Sequence, residues 1–367
     1  MKPVSLYLHI PFCRSRCHYC GFVSCTALGQ RDAYCAALRR ALMAAPLQNR
    51  TVSTVYFGGG TPSLLGESLS DLLACVRASV PIAPEAEITL EANPGTVTLP
   101  MLRHWRGSGF NRISFGLQDQ EDAMLRLLGR SHTATESEAA VKMAQEAGFE
   151  NISVDFMLAT PGQTPQKAQA LAEYGIRLGV PHLSSYLLKI EPGTTFAREK
   201  MGARCPDEDT AADCYLAFYE ALEAAGYRHY EISNAALPGY ESRHNSAYWQ
   251  QRDYLGIGAG AASCMEGRRF RFPDSIDGFI TAPDVWQTVI PEGTAGNWEE
   301  TLMLSLRLAA GLCRPAAEAH GASWAQLLRR AAPLQKAGLL LADEQHIALT
   351  DRGFLLSNSI ILSLLEE

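Results

Sequence analysis

Through the first two thirds of the chain, short strand-like runs alternate with longer amphipathic runs, and this alternation limits the architectures open to it. The strand-like runs are Val4–Ile10, Thr54–Phe57, Glu87–Ala92, Asn111–Leu117, Asn151–Leu158 and His182–Lys189. Each is rich in β-branched or aromatic residues and ends near Gly, Pro or polar punctuation. The runs between them read as helices over Asp32–Ala45, Leu69–Ser79, Met101–Gly107, Thr135–Ala147, Gln166–Leu178 and Asp209–Ala225, with stops such as Gly148 and Gly226. Six βα units in series predict a parallel sheet with right-handed crossovers. Six fall short of the eight of a closed barrel, so the expectation is an α/β fold built on a curved, partial (β/α)6 barrel. In such a sheet the loops after the C-terminal strand ends build the site.

Composition fits a main domain plus a smaller one: 367 residues, 47% hydrophobic and 19% charged. The formal charge of −7 disfavours a general nucleic-acid binder. No apolar run reaches membrane-spanning length, and the N terminus enters a strand with no room for a presequence, so a soluble cytoplasmic protein is expected. The expected organisation is a barrel core over 1–235, a connecting segment completing the core over 236–290, and a C-terminal domain over 291–367. That last part reads as helices over Trp298–Ala309, Ser323–Ala337 and Arg352–Leu365, with a hairpin at Gly338–Asp343 and His346–Thr350. It looks like a winged-helix module, mainly helical. Its wing has few basic residues and its end is acidic (Glu366, Glu367), which favours a packing or lid role over nucleic-acid binding.

Directly after the first strand stand Cys13, Cys17 and Cys20, spaced Cys-x3-Cys-x2-Cys. Three thiolates on one short loop can hold three irons of a [4Fe-4S] cluster. Phe22 stands at the next plausible ligand position, so one iron is left open for an exchangeable ligand, unlike a closed electron-transfer cluster with four cysteines. Structural zinc is the rival reading. It wants four ligands, and His18, wedged between Cys17 and Cys20, would need a strained loop to point inward. A disulfide fits poorly with an odd set of cysteines. The remaining cysteines, Cys25, Cys35, Cys75, Cys205, Cys214, Cys264 and Cys313, are scattered singly and read as buried apolar side chains.

Other polar or Gly-rich motifs follow the later strands. Gly58-Gly59-Gly60-Thr61-Pro62 offers free backbone groups to an amino acid moiety, or is a tight turn. Without Gly-Lys-Ser/Thr it is not a P-loop. Glu91 accepts bonds from ribose hydroxyls or serves as a helix N-terminal charge. Gln118 ends the fourth strand. Arg130 clamps a carboxylate or is solvated. Asp155, alone in an apolar strand, is expected to face a polar cavity. His9 is read as a hydrogen-bonded strand residue and His18 as exposed.

The cysteine spacing, with the aromatic Tyr19 before Cys20, resembles the radical S-adenosylmethionine (SAM) superfamily. That resemblance implies that SAM chelates the open iron and that one electron splits its sulfonium bond to a 5′-deoxyadenosyl radical. Several stretches together resemble the oxygen-independent coproporphyrinogen oxidase-like branch: Tyr7–Cys13, Phe57–Ser63, Ile113–Gln118, Leu127–Arg130, Asp155–Leu158 with Pro161–Thr164, and Tyr230–Asn234. The likeness covers about residues 4–265. It implies SAM contacts from Tyr7, Gly59, Gly60, Thr61, Glu91, Gln118, Arg130 and Asp155, with Tyr19, Lys189 and Ala262 as further ones. The true oxidase carries a fourth cysteine where this chain has Phe22, and a longer N-terminal extension.

His244-Asn245-Ser246-Ala247-Tyr248-Trp249 resembles the His-Asn-x-x-Tyr-Trp motif of the heme chaperone HemW family. This resemblance implies that His244 binds heme, with aromatics stacked on the porphyrin. It further implies a heme-acceptor protein, a reductant such as flavodoxin or ferredoxin, and membrane contact only through the acceptor. It leaves open whether SAM is turned over and thus whether the chain is an enzyme. The second reading is a coproporphyrinogen III oxidase, or another radical SAM enzyme acting on a tetrapyrrole, against which Phe22 speaks. The third is a zinc-stabilised binding protein.

Overall fold

The computed structural model describes residues 1–366; Glu367 of the acidic end lies outside the described residues. Six strands, β1 (Lys2–Ile10), β2 (Arg50–Gly59), β3 (Ile82–Ala92), β4 (Arg112–Gln118), β5 (Asn151–Leu158) and β6 (His182–Leu187), lie side by side in chain order, each parallel to the next. The connections carry α1 (Arg31–Met43), α2 (Ser68–Ser79), α3 (Leu99–Ser108), α4 (Asp122–Leu127) with α5 (Ala134–Glu146), and α6 (Pro165–Arg177). After β6 come α7 (Thr195–Arg198) and α8 (Glu208–Ala224). Every strand and helix expected in this region is present, with ends shifted by a few residues. Local chemistry sets the helix starts: Thr133 and Glu136 form a capping box on α5, and Thr164 caps α6 ahead of Pro165.

The sheet does not stop at six strands. Beyond β6 it continues through the hairpin of β7 (Arg228–Glu231) and β8 (Asn234–Ala236), and beyond β1 through β9 (Tyr254–Ile257), β10 (Ala262–Met265), β11 (Arg268–Arg271) and β12 (Ile290–Thr294). Only β9 among these added strands runs parallel to its β1 neighbour. The result is an open sheet of 12 strands with a six-strand parallel barrel portion at its centre. The expected divisions at 235/236 and 290/291 therefore fall inside β8 and β12. The added strands are three to five residues long and alternate poorly, so they leave little periodic signal.

Alternation along the central strands sorts side chains to two faces. Leu6, Leu8, Ile10, Val55, Phe57, Leu90, Ile113, Phe115, Val154 and Phe156 are buried in one core with the helices. Each contributes about 1.5–3 kcal/mol of hydrophobic burial. The other face turns Tyr7, His9, Thr54, Tyr56, Glu87, Glu91, Arg112, Ser114, Asp155 and His182 into the barrel lumen, where Tyr7 bonds His9, Tyr56 bonds Glu91 and Ser114 bonds Asp155. The helix α9 (Arg243–Trp249) closes the lumen near the strands' N-terminal ends. Its first amides, of Arg243 and His244, donate to Glu87 Oε2 and Oε1 at 2.9 and 3.0 Å, and Ser242 caps it.

Between β11 and β12, α10 (Ile276–Thr281) packs against α1, and the last part comprises α11 (Trp298–Ser305), α12 (Arg314–Ala319), α13 (Trp324–Lys336), α14 (Asp351–Leu355) and α15 (Ser357–Leu365), with a small sheet of β13 (Leu312–Cys313), β15 (His346–Leu349) and β14 (Leu340–Ala342). The single helix expected over Arg352–Leu365 is two, broken at Leu356. Thr350 caps α14, and Gly353 sits so close to the wing that a Cβ would lie 1.9 Å from the Leu339 carbonyl. The module docks on the β7 edge: Ile232 N donates to Arg307 O, Ala309 N to Tyr230 O, and His229 pairs with Asp351 at 2.7 Å.

Candidate functional site

The cysteine loop leaves the C-terminal end of β1 and is pinned on both sides. Cys13 N donates to Cys25 O and Cys25 N to Pro11 O, while Gly60 N and Thr61 N donate to Ile10 O and Phe12 O. On the far side His18 N donates to Leu128 O, and His18 Nδ1 bonds Leu127 O at 2.8 Å. His18 is therefore half-buried against the end of α4, not exposed as expected, and this ring nitrogen is committed to a carbonyl rather than to the thiols.

The thiols are set among donors. Thr61 Oγ1 lies 3.7 Å from Cys13 Sγ as donor, and Arg130 Nη1 donates to Cys17 Sγ at 3.3 Å. Arg130 Nη2 also donates to Asn93 Oδ1 and to Gly116 O, and Asn93 Nδ2 donates to Thr61 Oγ1 at 2.9 Å. Thiolates are the form that binds iron. Burial pushes the Cys13 and Cys20 thiols up, while the Thr61 bond and the Arg130 charge favour the Cys13 thiolate. This donor set fits a cluster held by three thiolates. Phe22, where a fourth thiol would stand, is 67% exposed. Of the other cysteines, Cys35, Cys214 and Cys264 are buried; Cys25, Cys75, Cys205 and Cys313 are only partly so.

The glycine run plays a different part from the one expected. The amides of Gly59, Gly60 and Thr61 are already taken by Glu91, Ile10 O and Phe12 O, so they are not free for a ligand. Gly60 is needed for packing instead, because a Cβ there would lie 2.8 Å from the Phe12 carbonyl. Glu91, at the end of β3, accepts from Tyr56 Oη at 2.7 Å and Gly59 N at 3.0 Å, which places it in the lumen and not at a helix terminus. Burial pushes its carboxyl up to about 7, against the Tyr56 bond. Asp155 also faces the lumen, accepting from Ser114 Oγ at 3.1 Å, and burial raises it.

Gln118 carries the clearest vacancy in hydrogen bonding. It is buried, has a left-handed φ of 72°, and its Oε1 has no partner. A strained non-glycine backbone with an orphaned buried acceptor suits a ligand contact. Tyr7 and Tyr19 are partly buried, Tyr7 bonding His9 Nδ1 at 3.0 Å and Tyr19 packing on Phe196. Two expected contacts are not brought in. Lys189 lies past the end of β6, exposed and paired with Glu191 at 3.0 Å, and Ala262 is an exposed methyl at the start of β10.

His244 is neither a surface histidine nor an available iron ligand. It is 1% exposed, within α9 at the closed end of the lumen. Nδ1 bonds Thr54 Oγ1 and Nε2 bonds Tyr248 Oη, each at 2.7 Å. Its ring stacks on Tyr56 at 4.9 Å and 26°. Burial, helped by the Arg112 charge, lowers its pKa to about 3, so it is a neutral imidazole with both nitrogens used. His244 thus braces Tyr56, and Tyr56 holds Glu91. Sequence reasoning missed Tyr56, Asn93, Glu87 and Arg112 as parts of this network. The signal was present: on successive strands every second residue is polar, which is unusual for a central parallel sheet.

Comparison with known proteins bears on this geometry. The Radical SAM superfamily model matches residues 7–175, and the HemN C-terminal domain model matches residues 297–356. The heme chaperone HemW of Lactococcus lactis subsp. lactis is 36% identical over 367 residues, spanning 98% of this chain and 96% of the relative. The heme chaperone HemW of Escherichia coli K12 is 42% identical over 282 residues, 75% of this chain and 72% of the relative. The mitochondrial radical S-adenosyl methionine domain-containing protein 1 of Bos taurus is 33% identical over 400 aligned positions, 99% of this chain and 87% of the relative. Among solved structures, coproporphyrinogen III oxidase (HemN) from Escherichia coli, described as a radical SAM enzyme, superposes with a TM-score of 0.85 at 26% identity, covering 99% of this chain and 90% of the other.

Proposed function

The chain belongs to the heme chaperone HemW family of radical SAM proteins, and from that premise we propose that it binds heme, a [4Fe-4S] cluster and exchangeable SAM, and passes heme to an acceptor protein. The observation that carries this reading is the similarity to a heme chaperone along 96% of that relative's length. The donor set around the cysteines supports the cluster. Cys13, Cys17 and Cys20 would take three irons, with Thr61 and Arg130 donating to two of the sulfurs. When bound with SAM, a reduced cluster there would supply one electron to the sulfonium bond. Glu91 would accept from ribose hydroxyls and Gln118 Oε1 from a further SAM donor, with Asp155, Tyr7 and Tyr19 closing the polar pocket. Gly59 and Gly60 act through packing, holding the end of β2 against the cysteine loop. A low-potential carrier such as flavodoxin or ferredoxin would supply the electron. Free thiols in this number suit a reducing compartment, and we place the protein in the cytoplasm.

The test begins with anaerobic reconstitution, followed by iron and sulfide analysis, heme titration, and transfer of heme to an apo-acceptor. Stoichiometric heme uptake with four irons per chain is the expected result; a reconstituted protein that takes up no heme would overturn the reading. A second reading, a radical SAM enzyme acting on a tetrapyrrole, is favoured by the superposition on HemN. Incubating reduced protein with SAM and coproporphyrinogen III, and following protoporphyrinogen and 5′-deoxyadenosine, separates the two. The chaperone reading expects no protoporphyrinogen.

A further inference from the structure

The loops that follow β4 and β5 start side by side, because those strands are parallel neighbours with Gln118 opposite Phe156. Each loop leaves its strand through a non-glycine residue in the left-handed region, Gln118 at a φ of 72° and Ala159 at 56°. Such backbones persist only where the surroundings hold them. The residue after each is polar and buried, Asp119 at 7% exposure and Thr160 at 0%. Both line one cleft of about 280 Å³, together with Gln120, Glu121, Gln163 and Lys167. The cleft is separate from the cysteine site, since none of Cys13, Cys17 and Cys20 borders it.

Local bonds account for most of the polar atoms there. Asp119 Oδ1 accepts from the Glu121 amide at 2.7 Å. Gln163 Oε1 accepts from the Ala159 amide at 2.6 Å, its Nε2 donates to Met157 O, and its own amide donates to Thr160 O. Glu121 pairs with Lys167 at 3.1 Å. Thr160 Oγ1 is different: it is fully buried and has no partner among the described residues. A buried hydroxyl in that state is costly and calls for an occupant. Asp119 is also short of counter-charge. Burial pushes its carboxyl up to about 6, although the Lys167 charge pulls the other way.

We propose that this cleft binds one monovalent alkali cation, potassium or sodium, held by the Asp119 carboxylate and Thr160 Oγ1. The polar lining is carboxylate, hydroxyl and amide oxygen, with no thiolate or imidazole to select a softer metal. A divalent ion gathers several carboxylates or keeps most of its waters. Here Lys167 already neutralises Glu121, which leaves one negative charge for one positive. An anion would meet Asp119. The bound ion ties the two left-handed turns together. Gln118 directly precedes Asp119, so the ion also fixes the backbone that presents Gln118. The site needs neither the cluster nor heme.

Stability is the direct test. The full chain is unfolded by urea in tetramethylammonium chloride, whose cation leaves no room for oxygen ligands. Potassium or sodium chloride then replaces that salt at constant ionic strength. The unfolding constant should fall with alkali-ion concentration, about a hundredfold at roughly one hundred times the dissociation constant, and one of the two ions should act at lower concentration. Asp119→Asn and Thr160→Val should each abolish the response. Thr160→Ser, and Glu223→Gln on an exposed position of α8, should keep it. In tetramethylammonium alone, Thr160→Val should be at least as stable as wild type, because it removes an orphaned hydroxyl. Should Asp119→Asn fail to fold, the two variants at Thr160 decide alone. Crystals soaked in rubidium chloride should show an anomalous peak between Asp119 and Thr160. Equal midpoints in all three salts, an undiminished response in Thr160→Val, or a soaked cleft that holds only water overturns the proposal. Iron and sulfide content of the same samples reports separately on the cluster.

Discussion

Replacing His244 separates two accounts of the His-Asn-x-x-Tyr-Trp segment. In the structure the imidazole satisfies Thr54 Oγ1 and Tyr248 Oη and stacks on Tyr56, which holds Glu91. His244→Ala leaves two buried hydroxyls without partners, at about 1–3 kcal/mol each, and opens a ring-sized cavity whose cost adds to these. The loss should be about 3–6 kcal/mol. Unfolding entropy of about 2.1 cal/mol/K per residue gives roughly 0.8 kcal/mol/K for a chain of 367 residues, so the melting temperature should fall by about 4–8 °C. Tyr56, freed on one face, should hold Glu91 less well. SAM affinity, measured by anaerobic calorimetry, should then fall about tenfold, which is 1.4 kcal/mol. His244→Gln keeps one donor and one acceptor and should recover most of both losses. A heme ligand predicts the opposite pattern: unchanged melting, unchanged SAM affinity, loss of the Soret band, and no rescue by glutamine. That outcome would refute the bracing role and require α9 to open before heme binds.

Four further outcomes follow from the same geometry. Single Cys13→Ala, Cys17→Ala or Cys20→Ala variants should each lose most of their iron and sulfide, while far-ultraviolet circular dichroism stays unchanged, because the loop is also pinned by backbone bonds. Glu91, raised to about 7 by burial, binds a proton in the folded state between pH 4.5 and 7 that the unfolded chain has released. Stability should fall as pH rises through that window, by up to about 1.4 kcal/mol per unit, and urea midpoints of Glu91→Gln should lack this slope. SAM should bind more tightly to wild type at pH 8 than at pH 6 as the carboxylate forms, with Glu91→Gln showing no such trend. Gln118→Gly relieves a left-handed φ of 72° and should raise stability by about 1 kcal/mol while weakening SAM binding, since the acceptor Oε1 is gone.

The alternation of β1 to β6 with helices was legible because the strands end near punctuation and most of the helices, α3, α5, α6 and α8 among them, carry a side-chain cap. The cysteine site was legible because ligand spacing is local. What the sequence concealed has a common physical origin: it depends on which face of a strand a side chain takes and what lies opposite. Thr54, Tyr56, Glu87 and Arg112 share the lumen face through the register that pairs Thr54 with Glu87 and Thr89 with Arg112. No window along the chain contains that pairing. His244 was misplaced for the same reason, since its burial comes from Glu87, distant in sequence, holding the start of α9 inside the barrel. The glycine run was read as free donors because local reasoning counts amides without asking where they go. Gly59 reaches Glu91, and Gly60 and Thr61 reach the carbonyls of Ile10 and Phe12. The lumen thus holds two strings of contacts, one from the thiol donors Arg130 and Thr61 through Asn93 at its mouth, the other from Glu91 through Tyr56 to the stacked ring of His244 at its base, with the backbone of Gly59 to Thr61 running between them. A change at the base acts on the mouth through Glu91 and Gly59, which is why loss of function in the aromatic motif does not by itself locate a heme there.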